Sequence, residues 1–543
     1  MKIVLAQINP TVGDILGNYK KIINNISKFN NNADLIVFPE LSISGYPLED
    51  LVLKDSFLNE ISFILNKLSK YCLNKNIAVI IGAPLKENNL IYNAGIFLYK
   101  KKKALIYKNN LPNYGVFDEQ RVFKSGKKYN IINYKGLKLG LLICEDMWFN
   151  SLPLYLKKNG ANIFICINAS PYEKEKLSQR IFVSNELVKR TKVPLLYLNQ
   201  VGGQDELVFD GNSFYMDIEG NIVDKCNPWK EEFKAIDFPV KFKRKNINNN
   251  DLSKISEFNT WSALTLGLKD YFTKNSFSKI VLGLSGGIDS AVSAAIAVDA
   301  IGSKNVIGIL MPSKYSSKDS LVDAKETAKL LKIKTKIFKI EDIHNVFYKN
   351  LDRNFSNKVK NITDENIQSR IRGAILMAYS NNFSYLLIST GNKSEISVGY
   401  STIYGDMNGG FNAIKDIYKT ELYNLANWRN STNAKYFKGP KGKVIPQNSI
   451  NKSPSAELRP NQKDTDSLPA YDVLDKILYF LIEKELSIKD IIKKGFKAST
   501  VKRVSSLLFK SEYKRRQAPP GVKLSIKAFG KERRYPITNK FEN

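Results

Sequence analysis

The stretch "KIVLGLSGGIDSAVSAAIAVDAIG" (279–302) passes from a short β-rich apolar run, through a loop with two glycines, directly into a run with helical apolar spacing. Such a handover points to a parallel α/β layer, because a parallel strand needs a helical crossover before the next can be laid down. The runs "NVIGILMPS", "KTKIFKIED" and "YLLISTGNKSE" follow, separated by helical stretches such as "SLVDAKETAKLLK". The fold expected for this part is a doubly wound parallel sheet, whose ligands sit at the carboxyl ends of its strands. Glycines at such an end let backbone N–H groups converge, and the helix start adds positive potential, so the loop suits a phosphate. No Gly-Lys-Ser/Thr follows, so this is not a Walker A loop.

The first half alternates strand-like and helical runs as well: "KIVLAQIN", "ADLIVFPE", "IAVIIGAP", "LGLLICED", "NIFICINAS", "PLLYLNQ" and "NSFYMDIEGN", the last containing a hairpin turn. Over 242–257, "FKRKNINNNDLSKISE", hydrophobic periodicity lapses and a linker is expected. At 543 residues the chain has room for two separate cores, one over 1–241 and one over 258–543. "AKYFKGPKGKVIP" and "LRPNQKDTDSLP" read as surface loops, the second ordered by substrate.

Composition removes several classes of chemistry. Cys72, Cys144, Cys166 and Cys226 stand far apart, against a disulfide scaffold or a cysteine zinc site. His344 is the one histidine, so acid–base work falls to carboxylates, lysine or the substrate itself. No stretch has the apolar length to span a bilayer, and the N-terminal apolar run is too short for a signal peptide, so a cytoplasmic protein with no membrane partner is expected. The formal charge of +31 is spread along the chain among Asn and Ile, as a compositional background would spread it. A basic nucleic-acid-binding protein is the non-enzymatic alternative, and it rests on charge alone. The expected partners include no nucleic acid.

The hexapeptide Ser285–Ser290 resembles the pyrophosphate loop of ATP pyrophosphatases, whose Rossmann-like domains cleave ATP to release pyrophosphate. Gly286 and Gly287 would admit the phosphates, Ser285 and Ser290 would donate to them, and Asp289 would hold Mg²⁺, with Gly283, Leu284 and Ile288 completing the ATP loop. The loop alone leaves guanylate synthesis, tRNA thiolation and NAD synthesis open. Residues 388–428, "ISTGNKSEISVGYSTIYGDMNGGFNAIKDIYKTELYNLANW", with "MPSKYSS" (311–317) and "EYKRRQAPPGVKLS" (512–525), are similar to NAD synthetases. That resemblance implies that Thr390 and Lys419 contact ATP, that Glu395 joins Asp289 at Mg²⁺, and that Asn366, Glu395 and Lys514 hold deamido-NAD. Asn366 follows Thr363 and Asp364, a setting that equally suits the first turn of a helix. A different pyrophosphate-loop amidotransferase or a tRNA-modifying enzyme is the alternative activity.

Glu40 in "LIVFPELSISGYP", Lys108 in "YKNNLPNYGVFDE" and Cys144 in "LGLLICEDMW" stand at or beyond strand ends. Here the chain resembles the nitrilase, or carbon–nitrogen hydrolase, family, which implies an α-β-β-α sandwich and a Glu-Lys-Cys triad. The chemistry works without histidine: Glu40 takes the thiol proton, while Lys108 stabilises thiolate and tetrahedral oxyanion. The resemblance further implies Tyr114, Ser170 and Lys176 as glutamine contacts, Glu119 as an auxiliary acid and Tyr46 as a pocket-closing residue. Taken together, the resemblances imply a carbon–nitrogen ligase acting on deamido-NAD, ATP and L-glutamine, organised as a homo-oligomer.

Overall fold

Alternation of buried residues toward two opposite faces organises the first half of the molecule. The computed structural model describes residues 1–127, 129–239, 255–356, 359, 361–432 and 436–541. Met1–Ile255 forms one compact unit and Ser256–Asn543 another. Of the linker expected at 242–257, residues 242–254 lie outside the described residues, and from Ser256 the chain is already helical.

In chain order the first unit contains β1 (Lys2–Gln7), β2 (Leu35–Val37), β3 (Ala78–Glu87), β4 (Leu90–Tyr99), β5 (Lys102–Tyr107), β6 (Ile132–Tyr134) and β7 (Leu137–Ile143). It continues with β8 (Ile163–Asn168), β9 (Leu195–Asn199), β10 (Val201–Gln204), β11 (Leu207–Asp210), β12 (Phe214–Met216), β13 (Ile222–Lys225) and β14 (Glu232–Asp237). Two six-stranded sheets result, ordered β14-β1-β2-β3-β4-β5 and β13-β12-β9-β8-β7-β6, with β10 and β11 as a separate ribbon. Ile3, Leu5, Val37 and Ile80 of one sheet share a core with Leu141, Ile143, Ile165 and Leu198 of the other. The intervening residues Val4, Ala6, Ile36 and Val79 pack on the helices Ile15–Phe29 and Asp55–Cys72. On the far side Phe164, Cys166 and Tyr197 pack with the helices Ser151–Lys158 and Lys176–Thr191. The layers are therefore α-β-β-α, and a one-residue slip of any central strand would exchange its two apolar sets.

The second unit holds β15 (Ile280–Gly283), β16 (Val306–Leu310), β17 (Lys334–Ile337) and β18 (Leu386–Leu387), all parallel, in the order β17-β16-β15-β18. The helix Ile288–Ile301 buries every residue except Asp289, which explains why it is apolar all round. Leu376 and Met377 of the helix Asn361–Phe383 cover the residues Val281, Ile309 and Leu387. From β15 the chain builds outward through β16 to β17, then returns to lay β18 on the other side of β15. The topological switch point thus falls between β15 and β18, where loops diverge and leave a crevice. The helices Tyr471–Ile482 and Ala498–Lys510 form a further core with Ile396 and Val398.

One expected surface loop is corrected. Within "AKYFKGPKGKVIP", whose first two residues lie outside the described set, Val444 and Ile445 are fully buried, because Asn430 accepts both of their N–H groups and draws the segment inward. Among the described residues no helix is long and apolar enough to cross a membrane.

Candidate active sites

In the first unit the strand ends bring a carboxylate, an ammonium and a thiol into one buried cluster. Glu40 follows β2, Lys108 follows β5 directly, and Cys144 follows β7 directly. Lys108 Nζ donates to Glu40 Oε1 at 2.8 Å and to Glu119 Oε1 at 2.8 Å. Glu40 is fixed further by Asn93 Nδ2 on Oε1 at 2.7 Å and by the Ala169 N–H on Oε2 at 2.9 Å. Tyr46 donates to Glu119 Oε1 at 3.0 Å. Cys144 adopts φ +48°, a sharp turn out of the strand that a non-glycine residue rarely takes. Asp146 holds that turn, accepting from Ile143 N at 3.2 Å and from the Asn109 and Asn110 N–H groups at 3.0 and 2.8 Å, which ties the cysteine turn to the lysine segment.

Burial sets the electrostatics here. It pushes the Cys144 thiol well above its ordinary range, Glu40 adds to that, and Lys108 pulls the other way. Burial also works against the Lys108 charge, but Glu119 and Glu40 outweigh it and hold the ammonium well above its ordinary pKa. Glu119 is pushed up to about 7 by burial, against the pull of Lys108. Around the cysteine, Tyr114 is half-exposed and donates to Glu145 Oε1 at 3.0 Å, and the Lys176 ammonium lies 5.1 Å over the Trp148 ring. The Ser170 hydroxyl accepts from Arg180 Nε at 3.1 Å. Cys166 belongs to the helix-facing core on the other side of the sheet, and all four cysteines are unpaired.

In the second unit a cavity of about 320 Å³ opens at the switch point. Gly283, Leu284, Ser285, Gly287, Ile288, Asp289 and Ser290 line it from β15, and Thr390, Glu395 and Lys419 line it from beyond β18. Gly286 has φ +87°, and a Cβ there would lie 2.3 Å from the Ser320 carbonyl oxygen, so only glycine fits. The Ser285 and Ser290 hydroxyls are 3.1 Å apart, and Ser285 Oγ accepts the Gly287 N–H at 3.2 Å, which keeps the loop tight. Lys419 Nζ donates to Asp289 and lies 3.5 Å from Glu395 Oε1. Asn392 donates to Asp289 Oδ1 at 2.7 Å while its own oxygen caps the helix Lys393–Val398 at the Glu395 N–H. Burial and the neighbouring Asp289 push Glu395 up to about 8, against Lys419. Burial opposes the Lys419 charge, but Asp289 and Glu395 prevail and hold it protonated.

Two carbon–nitrogen chemistries are therefore built into one chain, and known proteins combine them in the same order. The carbon-nitrogen hydrolase model matches residues 2–239, and the NAD synthase model matches residues 260–518. The glutamine-dependent NAD(+) synthetase of Acinetobacter baylyi is 43% identical over 99% of this chain and 98% of its own. That of Aquifex aeolicus is 40% identical over 100% of both chains. The chain belongs to the glutamine-dependent NAD(+) synthetase family. A solved glutamine-dependent NAD+ synthetase from Acinetobacter baumannii, in complex with ADP, superposes with a TM-score of 0.77 at 39% identity, covering 99% of this chain and 98% of that one. One from Cytophaga hutchinsonii reaches 0.81 at 21% identity over 99% and 98%, a likeness of fold.

Within this family frame, two residues expected to hold the dinucleotide stand apart from the cavity lining. Asn366 lies in the second turn of its helix and accepts from Thr402 Oγ1 at 2.9 Å. Lys514 donates to the Gly399 and Ser401 carbonyls at 2.8 and 2.7 Å. Both brace the 399–402 segment, whose Tyr400 does line the cavity. Sequence reasoning missed Arg372, a cavity residue whose Nε donates to the Met311 carbonyl at 3.2 Å and whose pKa burial pushes down to about 10. It also missed Asn93 and Asp146. The signal for Asp146 was its place two residues beyond the cysteine; Arg372 and Asn93 carry none without the fold.

Proposed function

We propose that the chain amidates deamido-NAD to NAD, spending ATP and taking nitrogen from L-glutamine, with glutamate, AMP and pyrophosphate as the other products. The observation that carries this reading is the presence in one chain of the buried Glu40-Lys108-Cys144 cluster and the glycine-loop cavity walled by Asp289, Glu395 and Lys419.

In the first unit Glu40 accepts the Cys144 proton as sulfur attacks the glutamine side-chain amide. Lys108 balances the thiolate and the oxyanion that follows. Glu40 passes the thiol proton to the departing nitrogen, ammonia leaves, a thioester remains, and water activated by the freed Glu40 carboxylate releases glutamate and restores the thiol. Glu119 serves as the auxiliary acid, a role supported by its raised pKa and by a buried oxygen without a hydrogen-bond partner. Tyr114, Ser170 and Lys176 contact the rest of glutamine, and Tyr46 closes the pocket. In the second unit the loop 283–290, Thr390 and Lys419 hold ATP while the pyridine carboxylate attacks the α-phosphorus and pyrophosphate departs. Ammonia then displaces AMP from the acyl adenylate. Asp289 and Glu395 fit Mg²⁺, because this ion commonly takes one or two carboxylates and completes its shell with water and substrate phosphates. Bound there, it would neutralise charge on the phosphates. Asn366, Glu395 and Lys514 serve deamido-NAD, the first and last by shaping the 399–402 segment.

Product analysis tests the reading. AMP and pyrophosphate should form in equal amounts with NAD; ADP and phosphate would contradict the pyrophosphate-loop reading, and AMP and pyrophosphate formed without NAD would point to another pyrophosphate-loop amidotransferase.

Gly82 on β3 gives a mutational check of the first site. A Cβ at this position would lie 2.4 Å from Leu41 N, 2.6 Å from Pro39 O and 2.7 Å from Glu40 Cα, all backbone atoms that cannot swing aside. Gly82→Ala is expected to displace the Glu40 turn and lower glutamine-driven turnover about 10²-fold, the scale of an ångström-sized misplacement. Ammonium-driven turnover, measured in parallel, should stay near wild type.

The enzyme is a homo-oligomer in this reading. The helix Glu341–Asn354, which follows the exposed edge strand β17 in the chain, buries only His344, while Ile343, Val346 and Phe347 form an exposed apolar stripe along it. Such a patch suits cover by a second copy. Light scattering should give at least twice the 61.6 kDa chain mass, and Val346→Glu with Phe347→Glu should reduce it. A cytoplasmic setting agrees with four unpaired cysteines. The partners are small molecules.

A further inference from the structure

We propose that Asp475, on the helix Tyr471–Ile482, is a positioning residue for the ATP site, locking together the two helix starts that carry Glu395 and Lys419. The inference rests on the reading of that cavity given above. Asp475 Oδ1 accepts the Ser394 hydroxyl at 2.5 Å, and Ser394 immediately precedes Glu395. Its Oδ2 accepts the Thr420 N–H at 2.9 Å and the Thr420 hydroxyl at 2.8 Å, and Thr420 immediately follows Lys419. The two sides are joined again, because Ser394 Oγ accepts the Lys419 N–H at 2.9 Å.

The arrangement replaces ordinary capping. The helix Lys419–Ser431 begins after Tyr418, whose side chain offers no cap, so its first N–H groups need acceptors from elsewhere. Ser394 and Asp475 supply them from two other helices. A residue that only capped one helix would touch one start; Asp475 touches both, and through them fixes the span between the Glu395 carboxylate and the Lys419 ammonium. It is buried, with 5% of its surface exposed, and its donors are neutral hydroxyl and amide groups. Asp475 does not line the cavity, so it can act on ATP only through its neighbours.

Asp475→Asn tests this at constant volume. With its oxygen kept on the two Thr420 donors, the amide turns its NH₂ toward Ser394 Oγ, which can accept it only by swinging its own hydrogen away from its former carboxylate acceptor, so the Ser394 link is reversed and loses its charge-assisted hydrogen bond. Two readouts are needed on the full chain: equilibrium binding of ATP with and without Mg²⁺ by calorimetry, and kcat and KM for ATP in ammonium-driven NAD formation. ATP binding in Mg²⁺ should weaken about tenfold, the lower end of what loss of an outer-shell partner costs, and KM should rise with it while kcat falls. A purely structural role would lower the yield of folded protein and leave the affinity and KM of the folded fraction untouched; that result overturns the proposal. Should Asp475→Asn not fold, Ser394→Ala and Thr420→Val each remove one hydroxyl from the same network, and unchanged ATP affinity and KM in both overturn it equally. Wild-type protein that binds no ATP would instead remove the site reading beneath it.

Discussion

Replacing Cys144 with alanine is expected to abolish glutamine-driven NAD formation while ammonium-driven formation continues. The thiol is the only nucleophile in the cluster of Glu40, Lys108 and Glu119, so its loss should cost about 10⁴-fold or more, the scale for removing a covalent nucleophile. The fold should hardly notice. Alanine at φ +48° is no more strained than cysteine there, and a small buried side chain is exchanged for a smaller one at about 1 kcal/mol. Equal loss of both activities in a folded variant would mean that the thiol serves the amidation itself, and the two-site account would be wrong.

Asp289→Asn is expected to give the complementary result: NAD formation lost with either nitrogen source, glutamine hydrolysis retained. Asp289 receives Asn392 Nδ2 on one oxygen and Lys419 Nζ on the other. An amide in its place must turn its NH₂ toward one of these donors, and the negative charge that Lys419 and a bound cation would share is gone. A loss on the order of 10³-fold is expected, typical of removing one group that organises transition-state charge. Retained ammonium-driven synthesis in this variant would take Asp289 out of the phosphate site. The two variants together separate release of ammonia from its use.

The phosphate loop was legible because a parallel βα unit writes itself locally: an apolar run, glycines, then a helix, with the functional groups in between. The switch-point position of that loop was not, since it depends on β18 returning beside β15. The Glu40, Lys108 and Cys144 positions could be read at strand ends, and the structure gathers them in one buried cluster. Strands β4 and β5 escaped notice because the lysine-rich hairpin between them, at Lys100–Lys103, hides an antiparallel pairing that carries Asn93 to Glu40. Arg372 looked like one basic residue among many until burial set it apart. Asp475 could not be found from sequence at all: its partners are 81 and 55 residues away, and only packing of three helices brings them within hydrogen-bond reach. Asn366 and Lys514 show the opposite case, in which a family pattern singles out residues and the structure gives them a bracing contact outside the cavity lining.

The most direct measurement supplies purified protein with deamido-NAD, ATP, Mg²⁺ and glutamine labelled with ¹⁵N at the side-chain amide. The account expects the label in the carboxamide of NAD, with one glutamate, one AMP and one pyrophosphate formed for each NAD. NAD formed without the label, or glutamate released with no NAD at all, would contradict it.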